Sequence, residues 1–295
     1  MSFNRLIKKI EETDNPTVVG LDPNLSFVPN FLMKKYLKDD ENYLESASKA
    51  VYEWNKGMID AIYDIVPAVK LQLSYYETLG HNGIKAFEDT IKYSKEMGLY
   101  VIADGKRNDI GTTMQAYAEG YLGNISYFDN NVKTYDVDAL TVNPYMGYDT
   151  VKPLLDICEI SDKSIFVLVK TSNESSGQLQ DLKLENGRRI YEEVAELAES
   201  WGENVGAVVG ATYPEQLSLL RSLMPNTFFL VPGYGAQGGG AKDVEAAFLN
   251  KGAIINASRS IICAYKNLNY DERDYMQATR DAAISMKKDL KSVRG

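Results

Sequence analysis

The chain has 295 residues, of which 44% are hydrophobic and 25% charged, and its net charge is −9. That balance fits a globular protein with a large buried core, and no apolar run approaches the ~20 residues a membrane span needs. The acidic surplus argues against general nucleic-acid binding, although a few local cations can still hold an anionic ligand.

The N-terminus, MSFNRLIKKIEETDN, is charged and lacks a signal-peptide core, so the expected compartment is the cytoplasm. The first apolar run, TVVGLD (17–22), ends on Asp22. An amphipathic stretch, ESASKAVYEWNKGMIDAIYDIV, reads as a helix and leads to PAVKLQL (67–73), which carries Lys70 among apolar residues. A second helical stretch, KAFEDTIKYSKEMG, stops at a glycine before LYVIADGK (99–106). Asp104 and Lys106 close that run, and Asp109 follows where the chain turns toward a helix near TTMQAY.

The next segment, 123–137, is polar and reads as a loop before DALTVN (138–143) and SIFVLVK (164–170). Another polar stretch, 171–187, leaves the end of the fifth run, and its composition suits a mobile lid or a solvated insertion equally well. The remaining runs are VGAVVG (205–210), FFLVPG (228–233) and AIINAS (253–258), separated by the helical GRRIYEEVAELAESWG, PEQLSLLRSLM and AKDVEAAFLN.

Eight apolar runs thus alternate with amphipathic helices. Runs apolar through their length suit strands covered on both faces, and the alternation implies a parallel sheet. Eight units in this length favour one closed (β/α)8 TIM barrel, an α/β domain spanning 1–295 with polar insertions near 123–137 and 171–187.

Cysteine and histidine usage narrows the chemistry. Cys158 and Cys263 are far apart and fit buried free thiols. His81, the one histidine, sits in an amphipathic segment and suits a surface or packing role. A Ser-His-Asp triad or a histidine-rich zinc site is therefore disfavoured, which leaves Lys and Asp to carry any catalysis.

In a barrel, function gathers where strands end. Lys70 inside an apolar strand is costly unless it snorkels at the rim or pairs with an acid, for which Asp22 is the obvious candidate. Asp104 and Lys106, two residues apart, would share a face of an extended strand. Asp22, Lys70, Asp104 and Lys106 would then converge as a coupled set of opposite charges. A held ammonium of this kind can stabilise a developing carbanion and then protonate it.

ADGKRNDIGTT resembles the D-x-K-x-x-D-I-x-x-T motif of the orotidine 5′-phosphate decarboxylase family, and is most similar to its longer bacterial form. PGYGAQGG resembles the family's phosphate loop, and SRSI its phosphate-binding arginine. The match in order covers roughly residues 17 to 262. The resemblance implies cofactor-free, metal-free decarboxylation of orotidine 5′-phosphate to UMP and CO2, in pyrimidine biosynthesis. It implies that Lys106 stabilises and protonates the C6 carbanion, with Asp104 beside the substrate carboxylate. It further implies a homodimer in which Asp109 and Thr113 enter from the other subunit. Asp22 and Lys70 would hold ribose hydroxyls, and Gln237 and Arg259 would grip the phosphate. Ser172 is the favoured reader of the pyrimidine among residues 171–173. The chain departs from the family pattern in its long segment between Asp22 and Lys70, and in Ser258 where glycine is common.

Two alternatives stay open at this level. Related sugar-phosphate decarboxylases, aldolases and epimerases share the Asp-x-Lys-x-x-Asp arrangement, some with Mg2+. A non-catalytic sensor of a nucleotide phosphate would keep the same binding groups. VPGYGAQGGG also contains a literal G-x-G-x-x-G, but a dinucleotide fingerprint opens its domain, and here six apolar runs precede it.

Overall fold

A computed structural model describes residues 2–37, 42–211, 214–235 and 240–294. Its eight barrel strands are β1 (Thr17–Leu21), β2 (Ala68–Gln72), β3 (Tyr100–Arg107) and β4 (Ala139–Val142). They continue with β5 (Ser164–Lys170), β6 (Val205–Val209), β7 (Phe228–Val231) and β8 (Ala253–Ala257). All neighbours pair in parallel, and the order β1-β8-β7-β6-β5-β4-β3-β2 closes on itself. Each strand lies within one of the eight apolar runs, except that β3 continues one residue past its run to Arg107, so the expected (β/α)8 barrel is the fold.

The strand period of two sorts the side chains. One set faces outward and packs under the helices, among them Tyr43–Ile62, whose Trp54 is fully buried. The other set fills the barrel with Val18, Ala68, Tyr100, Ile102, Ala139, Phe166, Phe228, Leu230 and Ile254. Continuing two residues along several strands replaces apolar by polar: Lys70 after Ala68, Asp104 after Ile102, Thr141 after Ala139, Asn256 after Ile254. The barrel is thus greasy below and polar at its C-terminal mouth.

The N-terminal segment, unassigned by periodicity, is a helix, Ser2–Thr13, that plugs the barrel floor. Phe3, Leu6 and Ile10 join the interior cluster, with the Phe3 ring 5.2 Å from Phe166 and 5.4 Å from Phe228. Gly206 makes room for it, since a Cβ there would come within 2.8 Å of the Phe3 ring. Arg5 fastens the plug to Asp138 at 3.1 Å and Asp162 at 2.9 Å.

Two segments differ from the sequence reading. Within 123–137, expected as a loop, residues Ile125–Tyr127 and Asn130–Val132 pair as an antiparallel hairpin with every residue exposed. Within 171–187, Glu174–Ser176 and Gly177–Gln180 form short helical turns. Elements this short, with at most one buried residue, carry no burial periodicity, so neither was legible. AKDVEAAFLN forms a 3-10 helix at Ala241–Phe248 rather than an α-helix.

Candidate active site

A cavity of about 570 Å3 opens at the strand C-termini. Of the residues singled out from the sequence, Asp22, Lys70, Asp104, Lys106, Ser172 and Arg259 line it together. Asp109 and Thr113 do not. Asp109 is half-buried and accepts a hydrogen bond from the Ile110 amide at 2.8 Å, while Thr113 is exposed. Gln237 lies outside the described residues.

Asp104 is the centre of the site. Its Oδ2 accepts from Lys70 Nζ at 2.7 Å, and its Oδ1 from Lys106 Nζ at 2.6 Å and Thr141 Oγ1 at 2.9 Å. Asp22 Oδ1 stands 3.9 Å from Lys70 Nζ. The nearer partner of Lys70 is therefore Asp104 rather than Asp22. Register does not separate them, since Gly20 and Ile102 both stand opposite Lys70 and each acid lies two residues further on, but Asp104 is still within β3 whereas β1 ends at Leu21. Rim snorkelling does not describe Lys70, which is only 5% exposed.

Burial alone would raise the Asp104 pKa, but the charges of Lys70 and Lys106 and their hydrogen bonds outweigh it and hold the carboxyl well below its ordinary value. Burial alone would lower the Lys70 pKa, but Asp104 and Asp22 overcome it and hold the ammonium above its ordinary value. Asp104 and Lys70 thus both stay charged throughout the neutral range.

Lys106 reaches Asp104 by a route the strand pleat does not supply. The register with β4 shifts between Ala103 and Arg107, and Lys106 adopts a left-handed φ of 48°. Its amide donates to Thr141 Oγ1 at 3.0 Å, which fixes the bulge. Such backbone, costing about 1–3 kcal/mol in a non-glycine residue, concentrates at functional sites. The bulge leaves the Lys106 side chain 44% exposed, directed at the cavity rather than buried beside Lys70.

The opposite wall belongs to the loop after β5. Gln180 accepts from the Thr171 amide at 3.0 Å and donates to Thr171 Oγ1 at 2.7 Å. Thr171 Oγ1 in turn donates to Asn173 Oδ1 at 2.6 Å. Lys170, 1% exposed, ties the same loop down through Asp181 at 2.9 Å and Ser176 at 3.3 Å. Ser172 sits between these anchored residues and lines the cavity. Gly210 allows its approach, since a Cβ there would stand 3.0–3.1 Å from Ser172 atoms.

Arg259 opens a single helical turn, Arg259–Ile262, directly after β8. The loop after β7 lies alongside. Gly233 and Gly235 take φ values of 104° and 75°, a region that suits glycine, and Gly235 packs against Ser260. An arginine beside a glycine-bearing loop at the ends of strands 7 and 8 suits an oxyanion such as phosphate. At the entry to the 3-10 helix, the Gly240 amide is already taken by Asp243 Oδ2 at 2.7 Å.

Sequence reasoning missed Gln72, Thr141 and Asn256, which line the cavity, and the anchoring Lys170. The signal for all four was a polar residue within an apolar run, the same anomaly that marked Lys70. Cys158 and Cys263 are buried free thiols, and His81 is exposed. Among the described residues, no helix is long and apolar enough to cross a membrane.

Comparison with known proteins converges on one family. The model of the orotidine 5′-phosphate decarboxylase / HUMPS family matches residues 43–269. An orotidine 5′-phosphate decarboxylase of Rhodopirellula baltica is 43% identical over 99% of both chains, and that of Caldicellulosiruptor saccharolyticus 36% identical over 98% of both. The solved OMP decarboxylase of Leishmania donovani superposes with a TM-score of 0.75 at 29% identity, covering 99% of this chain and 98% of its own.

Proposed function

The chain belongs to the orotidine 5′-phosphate decarboxylase / HUMPS family, and from that premise we propose that it is a cofactor-free enzyme converting orotidine 5′-phosphate to UMP and CO2. The reaction is the last step of de novo pyrimidine nucleotide synthesis. The observation that carries the reading is the Lys70–Asp104–Lys106 array, with ammonium–carboxylate distances of 2.7 and 2.6 Å.

In the proposed reaction the bond between C6 and the carboxylate breaks, CO2 departs, and the electron pair stays on C6. The Lys106 ammonium, already held beside Asp104, stabilises that charge without reorganisation and gives its proton to C6. Lys106 then regains a proton from solvent. Asp104 lies beside the substrate carboxylate, a like-charge contact relieved as CO2 leaves. Lys70 and Asp22 hold ribose hydroxyls. Ser172 faces the pyrimidine, and its hydroxyl is the one in the Thr171–Asn173 stretch not engaged by Gln180 or Asn173. Arg259 holds the phosphate, with Gln237 as the partner the family resemblance implies. Binding energy at this remote group is used at the reacting carbon.

Asp109 and Thr113 act in the partner's site within a homodimer. Support comes from their position outside this chain's own cavity, beside large exposed apolar side chains. Ile110 follows β3, and Tyr145, Met146 and Tyr148 follow the adjacent β4, at 60%, 77%, 42% and 48% exposure. Clustered apolar surface of this sort marks an association face.

Metal-assisted chemistry within the same family is the competing reading. The ammonium groups of Lys70 and Lys106 already occupy both oxygens of Asp104, where a divalent cation would need open carboxylate. The deciding assay follows loss of orotidine 5′-phosphate absorbance with and without EDTA, in wild type and Lys106→Ala. Turnover insensitive to EDTA and abolished in the variant is expected. Absence of turnover with tight UMP binding would instead mark a sensor.

A further inference from the structure

The left-handed backbone of Lys106, φ 48°, persists only if its surroundings over-determine it. On one side its own amide donates to Thr141 Oγ1. On the other side stands Arg107, which no step of the proposed reaction uses and which does not line the cavity. The Arg107 carbonyl accepts from the Asn143 amide at 3.0 Å, so the backbone rejoins β4 directly after the bulge, in register with Val142. Its Nη2 donates to Glu77 Oε1 at 2.7 Å and to the Tyr121 hydroxyl at 3.0 Å. Its guanidinium carbon lies 5.4 Å from the Tyr117 ring centre and 5.7 Å from that of Tyr121. Gly105 leaves the stem its path, since a Cβ there would stand 3.3 Å from Arg107 Nε.

These anchors come from two elements. Glu77 ends the short helix Leu73–Glu77 that follows β2, and both tyrosines belong to the helix Gly111–Tyr121 that follows β3. One guanidinium thus ties the end of β3 to what lies beyond the strand of Lys70 and beyond the strand of Asp104 and Lys106. Stability is a poor account of it. The Glu77 carboxylate is 44% exposed, so the ion pair contributes little. Arg107 Nε is buried with no hydrogen-bond partner among the described residues, which is costly, and an apolar side chain would fill the space without that cost. We propose that Arg107 is a positioning residue that holds the bulge from the helix side and so keeps the Lys106 ammonium aimed at the reacting carbon. The proposal rests on the functional reading above.

The test compares wild type with Arg107→Met, which keeps an unbranched stem and removes the guanidinium. Three quantities are read: kcat on orotidine 5′-phosphate, calorimetric affinity for UMP, and the urea midpoint. The variant should lose roughly 10–100-fold in kcat, as expected when a reacting group is misplaced by about an ångström. Its UMP affinity and urea midpoint should stay near those of wild type. Glu77→Ala, a change at a solvated side chain, should lower kcat several-fold, and should lower it no further in the Arg107→Met background. The same single variant reads the split should the methionine protein fail to fold. An unchanged kcat in the folded variants would overturn the proposal. So would parallel losses of kcat, UMP affinity and urea midpoint, which mark a merely structural residue, or equal Glu77→Ala losses in both backgrounds. A wild type without turnover would overturn the decarboxylase reading itself.

Discussion

Asp104 accepts from two ammonium groups and one hydroxyl while almost wholly buried, so no single partner can be removed without leaving charge stranded in the barrel. Lys70→Met should destabilise the fold by about 3–5 kcal/mol, read as a lower urea midpoint, because it leaves a buried carboxylate short of a cation. Lys106→Ala should cost less stability, since that side chain is 44% exposed, but should lower kcat by on the order of 10^2–10^4-fold while UMP still binds. Linkage gives the pH dependence. Asp104, depressed from 3.8, contributes stability that is present above 3.8 and lost as pH falls through its lower folded value. Lys70, raised from 10.5, contributes stability fully present below 10.5 and lost as pH rises through its higher folded value. The urea-midpoint gap between wild type and Lys70→Met should therefore stay constant from about pH 5 to 9. A gap that shrinks within that window would mean one of the two groups titrates there.

Individual elements divide into those that carry the barrel and those that hold the site. The helix Ser2–Thr13 belongs to the first kind. Phe3 fills space among Phe166, Phe228 and Gly206 that no strand side chain reaches. Phe3→Ala should cost about 3–5 kcal/mol in chemical denaturation, with kcat in the surviving folded fraction near that of wild type. The loop after β5 belongs to the second kind. Gln180 clamps both the amide and the hydroxyl of Thr171, and Lys170 clamps Asp181, so Ser172 is carried on a braced segment. Gln180→Ala should raise KM for orotidine 5′-phosphate several-fold with little change in melting temperature, because an ångström of play at a positioning residue is costly only to the bound substrate. The first went unassigned although Phe3, Leu6, Ile7 and Ile10 carry helical spacing, and the second was read as a loop whose bracing was not legible, because it has too few buried residues to set a period.

For the whole molecule, the decisive prediction concerns assembly. Asp109 and Thr113 sit outside the cavity of their own chain, in a stretch that also carries the exposed Ile110. If each active site borrows Asp109 from its partner, Asp109→Ala and Lys106→Ala proteins should each be nearly inactive alone. Equimolar mixing should recover about a quarter of wild-type activity, since half the dimers are mixed and each holds one intact site of two. No recovery after subunit exchange, verified by mass-tagged protomers, would show that each chain uses its own Asp109.

The sequence by itself determined the eight strands, because both faces of each are covered and burial writes itself as uninterrupted apolar runs. It also marked Asp22, Lys70, Asp104 and Lys106, since charge within or at the end of such runs has few structural explanations, while Arg259 was marked by the resemblance of SRSI to the family's phosphate-binding arginine. Tertiary structure alone decided who pairs with whom. Packing at the barrel mouth set Lys70 2.7 Å from Asp104 and 3.9 Å from Asp22, although the strand registers place the two acids alike. A bulge, not the pleat, turned Lys106 into the cavity. Barrel closure brought β8 beside β1, so that Asn256, an unremarked polar residue in AIINAS, faces the same chamber as Asp22. Packing, bulges and closure depend on contacts far apart in the chain, and a pattern of neighbouring residues does not encode them.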